Sequence, residues 1–162
     1  MSEYEINIDT IAIIPKGGAT MVVEKDGDFF VENRVYDIMD NSCKYFGSSL
    51  VGRQEGTKKM INVTHKSPII VEESSGLVFF PTHSPVHKDC SWLNVNNLVH
   101  YQKSSNDNKT LVIFNNGISL EFDVRYGSMN NQILRAARLV NVLQTRRVKK
   151  NNLNKVDVHE YI

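Results

Sequence analysis

The sequence predicts an α+β fold, a strand-rich mixed single domain with a central helix and a basic amphipathic C-terminal helix. Short alternating apolar runs occupy most of the chain, and apolar residues take helical spacing twice, between Asn33 and Phe46 and again after Ser128. A length of 162 residues with 41% apolar residues is typical of one globular domain. We expect that domain to span residues 1–150, with residues 151–162 forming a short polar tail that frays.

The first third of the chain is predicted to be β structure. Ile6 and Ile8 alternate with polar residues, and Ile11 and Ile13 repeat the pattern after a slip. The Asp26-Gly27 pair lies between two further apolar runs, and Asp-Gly in this position indicates a hairpin.

A central helix is expected next. Its apolar stripe follows the spacing i, i+3, i+4, i+7, i+8, i+11 through Val35, Ile38, Met39, Ser42, Cys43 and Phe46. Asn33 is the expected N-cap, and Gly47 is the expected stop because glycine adopts the left-handed conformation without penalty. Cys43 lies on the stripe and is therefore predicted to be a small core residue and not a reactive thiol.

Glycines recur from Gly47 to Gly56, and this segment is predicted to be a loop. Strands are expected at 57–64, 68–72, 77–80, 92–93, 98–101 and 110–114. The tight-turn sequence Asn115-Asn116-Gly117 precedes strict alternation from Ile118 to Val124, which predicts a second hairpin.

The final helix is predicted to run from a cap at Ser128 to about Val148. One side is apolar, formed by Met129, Ile133, Ala136, Ala137, Val140 and Leu143. The opposite side is cationic, formed by Arg135, Arg138, Arg146 and Lys149, whereas Arg147 and Lys150 lie off that stripe. Some basic residues merely complement the helix dipole, but the lack of interspersed acids weakens this explanation.

The net charge of +1 conceals a strong segregation of charge. Residues 124–156 hold eight bases and no acid, and residues 41–68 hold five bases and one acid. Net charge argues neither for nor against nucleic acid, but such segregation can attract polyanions locally. The second basic zone combines Arg53 with Lys58, Lys59 and Lys66.

Two catalytic patterns are incomplete. The segment Gly47–Gln54 is close to the phosphate loop G-x-x-x-x-G-K-[ST], but Arg53 and Gln54 stand where lysine and a hydroxyl are required. A phosphate-binding enzyme built on this loop is thus a disfavoured alternative. His65 near Ser67 lacks the G-x-S-x-G elbow that presents a catalytic serine. We predict no catalysis and no cofactor.

A metal site is also considered and disfavoured. His83, His87 and Cys90 have close spacing, and Asp89 could supply a fourth zinc ligand. No second ligand cluster stands nearby in the sequence, so a simple loop is the favoured interpretation and no metal is predicted.

The expected location is the cytoplasm. The chain begins with an acidic, polar segment and has no apolar run approaching 18 residues, so neither a secretion signal nor a membrane span is expected. Two cysteines, Cys43 and Cys90, do not make a disulfide framework.

The run Asp37–Thr57 resembles the ComK family of competence transcription factors, whose signature block is C-[RK]-[FY]-F-G-S-S-x-x-G-R-x-x-G-T. Here that block is read from Cys43 to Thr57. The similarity continues through residues 65–71, 79–82 and 90–92, the Asn115–Gly117 hairpin and Asn131-Gln132. It spans roughly residues 35–138.

The resemblance implies a sequence-selective activator that binds paired A/T-rich promoter boxes in the nucleoid, as dimers or pairs of dimers, largely through the minor groove. It also implies control by an adaptor of a Clp protease, although a tail shorter than the family's leaves that control open. The predicted DNA-binding residues are Arg53, Lys58, Lys59, Lys66, Arg135, Arg138, Arg146 and Lys149. The alternative is a ComK-like interaction protein that binds a partner or DNA without activating transcription.

Overall fold

The computed structural model describes residues 3–106 and 108–160, with side chains described through Leu153. Its strands are β1 (Thr10–Lys16), β2 (Ala19–Glu24), β3 (Gly27–Val31), β4 (Ile69–Glu72), β5 (Leu77–Pro81), β6 (Trp92–Asn94), β7 (Leu98–Lys103), β8 (Thr110–Phe114) and β9 (Ser119–Phe122). Its α-helices are α1 (Val35–Tyr45), α2 (Leu50–Ile61) and α3 (Tyr126–Glu160). The α+β class is therefore confirmed.

A six-stranded antiparallel sheet in the order β3-β2-β1-β6-β5-β4 forms the centre of the molecule. Alternate residues of β5 point to opposite faces: Phe79 packs in the core shared with α1, and Phe80 packs in the core shared with α3. Both residues are fully buried. Because helices cover both faces of this sheet, its central strands read as continuous apolar runs.

A smaller sheet, β7-β8-β9, packs against α3. Val112 and Phe114 of β8 point inward and join the core that also contains Met129 and Ile133. The predicted β8–β9 hairpin is confirmed. Its turn places Asn116 and Gly117 at φ 77° and 76°, a left-handed conformation that asparagine and glycine tolerate.

The N-terminal hairpin β2–β3 is confirmed at Asp26-Gly27, but the chain preceding β1 differs from the prediction. Residues 3–9 form no strand, and Ile8 is exposed. Ile6 is buried because its amide donates to Ser42 Oγ of α1 at 3.0 Å, which holds the segment against the helix.

Helix α1 confirms the predicted stripe and stop. Gly47 has φ 89°, and the amides of Gly47 and Ser48 donate to the carbonyl oxygens of Lys44 and Cys43, a Schellman ending. Cys43 is buried in the core as predicted. The predicted cap was wrong. Arg34 is the N-cap, and its side chain makes no capping hydrogen bond. The main-chain oxygen of Asn33 instead accepts a hydrogen bond from Thr20 Oγ1.

Helix α2 replaces the predicted loop at Gly47–Gly56 and the predicted strand at 57–64, and both of these predictions were wrong. Ser49 Oγ accepts from the Gly52 amide at 2.9 Å and caps the helix, and Asn62 ends it at φ 58°. The corner between the helices is fixed by Asp40, whose carboxylate accepts from the Leu50 amide at 3.0 Å. That hydrogen bond lowers the pKa of Asp40.

Helix α3 starts at Tyr126, so Ser128 lies in its first turn and is not the cap. The helix continues through Glu160, which corrects the predicted end near Val148, whereas the expected fraying of the tail stays a prediction. Residues 161 and 162, and the side chains beyond Leu153, lie outside the described residues. Ala137 is exposed, and Leu139 occupies the core in its place.

No helix in the described part of the chain combines the length and the hydropathy needed to cross a membrane.

Candidate nucleic-acid interface

Members of both basic zones line one cleft between α2 and α3. The cleft has a volume of about 510 Å³. Its lining comprises Arg53 and Met60 of α2, Leu143, Arg146, Arg147 and Lys150 of α3, Phe46, and the turn residues Glu72, Glu73 and Ser74. We call this feature the α2–α3 cleft.

Helical spacing explains which side chains line the α2–α3 cleft. Arg53 and Met60 are seven residues apart and share one face of α2. Leu143, Arg147 and Lys150 have the spacing i, i+4, i+7 and share one face of α3. Leu143 is buried and Met60 packs against the same core, so apolar side chains lie beside the cations.

Two guanidinium nitrogens in the cleft lack acceptors. Arg53 Nε and Arg147 Nη2 are buried, and neither has a hydrogen-bond partner among the described residues. The Arg147 guanidinium lies against Gly76 in the β4–β5 turn, where a β-carbon would stand 3.6 Å from Nη1. Leaving a buried donor unpaired costs about 1–3 kcal/mol, so an acceptor supplied from outside would stabilise this arrangement.

Among the described residues, the carboxylates of the cleft form no ion pair with its cations. The Glu72 carboxylate accepts from the hydroxyls of Ser74 and Ser75 and from their amides at 2.8 and 2.9 Å, which lowers its pKa to about 2. The ion pairs found within residues 3–106 and 108–153 join Lys25 to Asp9, Lys44 to Asp40 and Lys109 to Glu121. None of these pairs includes a predicted DNA-binding residue.

Four of the remaining predicted cations are exposed and lie outside the cleft lining. Lys58 and Lys59 are exposed in the last turn of α2, and Arg138 and Lys149 are exposed on α3. The structure therefore brings Arg53 and Arg146 to one cleft and leaves these four exposed elsewhere on the same two helices.

Arg135 and Lys66 meet at a second junction. Arg135 Nη1 donates to the main-chain oxygen of His65 at 3.3 Å and to Gln132 Oε1 at 3.1 Å. Gln132, only 1% exposed, donates from Nε2 to the carbonyl oxygens of Lys66 and Pro81, both at 2.8 Å. Arg135 therefore has a structural role, because it helps to hold the loop that carries Lys66 against α3.

The sequence pattern did not identify Arg147 and Lys150, which line the cleft. It defined the cationic stripe as the side opposite the apolar face, whereas the cleft opens at the border between the two. The spacing of both residues from Leu143 is the signal that identifies them.

The two incomplete catalytic patterns, Gly47–Gln54 and the His65–Ser67 pair, have structural roles or separate positions in the fold. The segment Gly47–Gln54 comprises the end of the link between α1 and α2 and the first turn of α2, and Ser49 uses its hydroxyl to cap α2. The Arg53 side chain lines the α2–α3 cleft. His65 is exposed, whereas Ser67 is buried and donates to the Val63 carbonyl at 3.2 Å.

The His83–Cys90 loop is organised by packing and hydrogen bonds. The rings of His83 and His87 stack with centroids 5.1 Å apart. Cys90 is buried, its Sγ donates to the His83 carbonyl at 3.3 Å, and burial raises its pKa to about 11. Within the described part of the chain, no three His, Cys, Asp or Glu side chains are grouped to hold a metal.

The sequence is similar to that of known proteins over most of its length. The family model described as ComK protein matches residues 1–148. A protein of Bacillus subtilis (strain 168) described as "Competence transcription factor" is 35% identical over 150 residues, which cover 90% of this chain and 78% of that protein. No solved structure was found to match the chain.

Proposed function

Because the chain belongs to the ComK family, we propose that it is a DNA-binding transcription factor that activates competence-type genes from A/T-rich promoter boxes, mainly through the minor groove. The observation that carries this proposal is the α2–α3 cleft. Its cations come from two separate stretches of sequence, and the described residues leave them without carboxylate partners.

The chemistry of A/T tracts suits such a surface. Narrow minor grooves concentrate negative potential and attract arginine side chains. Phosphate contacts supply much of the affinity and set the register of the protein on the duplex. The proposed DNA-binding residues are Arg53, Lys58, Lys59, Lys66, Arg135, Arg138, Arg146 and Lys149, together with Arg147 and Lys150.

Helix α3 provides an extended cationic element. Its 35 residues correspond to roughly 50 Å at the usual helical rise. Leu143 is the last buried residue in the part of α3 whose side chains are described, and the basic positions 146, 147, 149 and 150 follow directly. A projecting basic helix can contact phosphates beyond the footprint of the globular body.

Oligomer formation, protease control and location are further parts of the proposal. Val148 and Leu153 are 58% and 65% exposed on α3, and such apolar side chains would suit contact with a second copy in a dimer or pair of dimers.

Delivery to a Clp protease by an adaptor rests on family membership. Location at the nucleoid follows from DNA as the partner. The proposal includes no catalysis and no cofactor.

The same exposed apolar residues also favour a second candidate, a ComK-like interaction protein that does not itself activate genes. A mobility shift on A/T-box DNA, combined with a promoter reporter, separates the two. Binding with activation supports the transcription factor. Binding without activation, or no binding, supports the interaction protein.

Fluorescence anisotropy with a labelled A/T-box duplex tests the role of the cleft. Arg146→Gln is expected to weaken binding about tenfold, whereas the matched control Lys16→Gln, an exposed lysine at the end of β1, is expected to change it less than twofold. Equal effects of the two substitutions would contradict a role for the cleft.

A further inference from the structure

The two unpartnered donors in the α2–α3 cleft belong to arginines on different helices. Arg53 lies on α2 and Arg147 on α3, and both side chains line the same cleft. Each has a buried guanidinium nitrogen without an acceptor in the described part of the chain. Native proteins pair most buried donors, so two such groups in one cleft indicate an acceptor that binds from outside.

The cleft favours an anionic acceptor. Arg146 and Lys150 add two further cations to its lining, and the carboxylate of Glu72 is held by Ser74 and Ser75. Glu72 and Glu73 both line the cleft and lower its positive charge without cancelling it, because four cations face two carboxylates. Guanidinium groups present planar sets of N–H donors, which match the oxygens of a phosphate group.

We propose that Arg53 and Arg147 clamp a single backbone phosphate of bound duplex DNA inside the α2–α3 cleft. This inference rests on the proposed function and assigns the pair a role distinct from that of the exposed cations. Arg53 Nε and Arg147 Nη2 are buried in the free chain, so both side chains must turn toward the cleft opening to reach the phosphate. Its oxygens then supply the acceptors that these two nitrogens lack. Arg146 and Lys150 strengthen the field that draws the phosphate in.

The clamp predicts a strong contact at one position of the DNA backbone. Exposed lysines and arginines such as Arg138 remain hydrated and act on several phosphates as a diffuse charge. A buried pair of donors acts on one phosphate only, because its geometry fixes where the oxygens must lie. Sensitivity to the charge of one particular phosphate therefore distinguishes the clamp from general attraction.

A methylphosphonate scan with double-mutant cycles tests the clamp. A/T-box duplexes are made with one neutral methylphosphonate at each backbone position, and their affinities are measured for wild type, Arg147→Met and the control Arg138→Met. Wild type is expected to lose about tenfold affinity at one position in each half-site. Arg147→Met is expected to bind the unmodified duplex about tenfold more weakly and to lose no more at that position. Arg138→Met should keep the full wild-type sensitivity there.

Thermal unfolding shows whether Arg147 stabilises the fold and whether the cleft binds a small phosphate compound. Arg147→Met is expected to melt no lower than wild type, since it removes a buried unpaired donor; a clearly lower melting temperature would assign the arginine a structural role and overturn the clamp. Millimolar pyrophosphate is expected to raise the melting temperature of wild type and not of Arg147→Met.

The outcomes distinguish the clamp from the proposed function. If DNA binds but Arg147→Met keeps the full position-specific loss, the clamp is wrong and DNA binding stands. If pyrophosphate stabilises wild type but no A/T-box duplex binds, DNA binding fails, and the cleft is assigned to a free phosphate compound instead of a backbone phosphate, which also overturns the clamp.

Discussion

Arg135 on α3 donates a hydrogen bond from its guanidinium to the main-chain carbonyl oxygen of His65 at 3.3 Å. The next residue, Lys66, adopts a left-handed conformation at φ 50°, and its carbonyl accepts from Gln132 of the same helix. One predicted DNA-binding cation therefore helps to fix the backbone that carries another, so the positions of Arg135 and Lys66 are coupled.

Arg135→Ala is expected to lower the free energy of unfolding by about 0.5–1.5 kcal/mol, because it removes side-chain hydrogen bonds that fix the 62–68 loop. Arg138→Ala is the matched control, since Arg138 is exposed one turn further along α3. Urea denaturation measures both changes. If Arg135→Ala and Arg138→Ala have the same stability, the structural role of Arg135 is refuted.

Glu73→Gln is expected to tighten DNA binding about two- to threefold. Glu73 is an exposed carboxylate that lines the α2–α3 cleft, so its removal reduces repulsion of phosphate. The matched control is Glu55→Gln, an exposed carboxylate on α2 outside the cleft lining. Anisotropy titrations in low salt compare the two variants, and weaker binding by Glu73→Gln would argue against the cleft as the DNA surface.

Ser49→Ala is expected to destabilise the protein by about 1 kcal/mol, since it removes the side-chain acceptor that caps α2 at Gly52. DNA affinity should fall with it, because Arg53 lies in the first turn of the same helix. Urea denaturation and anisotropy report the two effects. Ser49→Asp, which retains a capping oxygen, should restore most of the stability; a failure to do so would question the cap.

The free energy of unfolding is expected to fall by roughly 1–3 kcal/mol between pH 8 and pH 10. Burial raises the pKa of Cys43 to about 12 and of Cys90 to about 11, above the ordinary value of 9.0. The unfolded chain therefore loses these protons at lower pH than the folded chain, so the stabilisation is complete below pH 9 and declines as pH rises toward 11–12. Burial also raises the pKa of Tyr4, but this affects stability only above its ordinary value of 10.0.

Urea denaturation at pH 8 and pH 10 measures this fall in the free energy of unfolding. The fall should be much smaller in the Cys43→Ala, Cys90→Ala double variant. The same burial predicts that iodoacetamide at pH 8 labels neither thiol in the native protein and both in urea. Rapid labelling of the native protein would contradict the buried positions.

The elements that the sequence predicted well are those with a clear apolar period. The stripe of α1 and the alternation of β8 and β9 each bury one face, so pattern and structure agree. Helix α2 buries only Leu50, Thr57 and Ile61, and Gly52 and Gly56 lower its intrinsic helix propensity. Its helical form depends on the Ser49 cap, the Asn62 terminus and packing against β4 and α3, which local pattern does not reveal.

The basic surface was predictable in composition but not in geometry. The sequence identified Arg53 and Arg146 as members of two basic zones, and charge segregation was sufficient for that prediction. Their meeting at one cleft depends on the packing of α2 against α3 and on the β4–β5 turn behind Arg147. These are long-range contacts, and a single sequence carries no direct signal for them.

The most direct test of the central claim is the affinity of the protein for an A/T-box duplex and for a G/C-rich duplex, each measured over a range of salt concentrations. If cations on α2 and α3 neutralise about six phosphates, log affinity should fall against log salt with a slope near −5, and Arg146→Gln should reduce that slope by about one. The A/T-box duplex should bind more tightly at every salt concentration. Equal affinity for both duplexes, or an affinity that does not change with salt, would contradict the account.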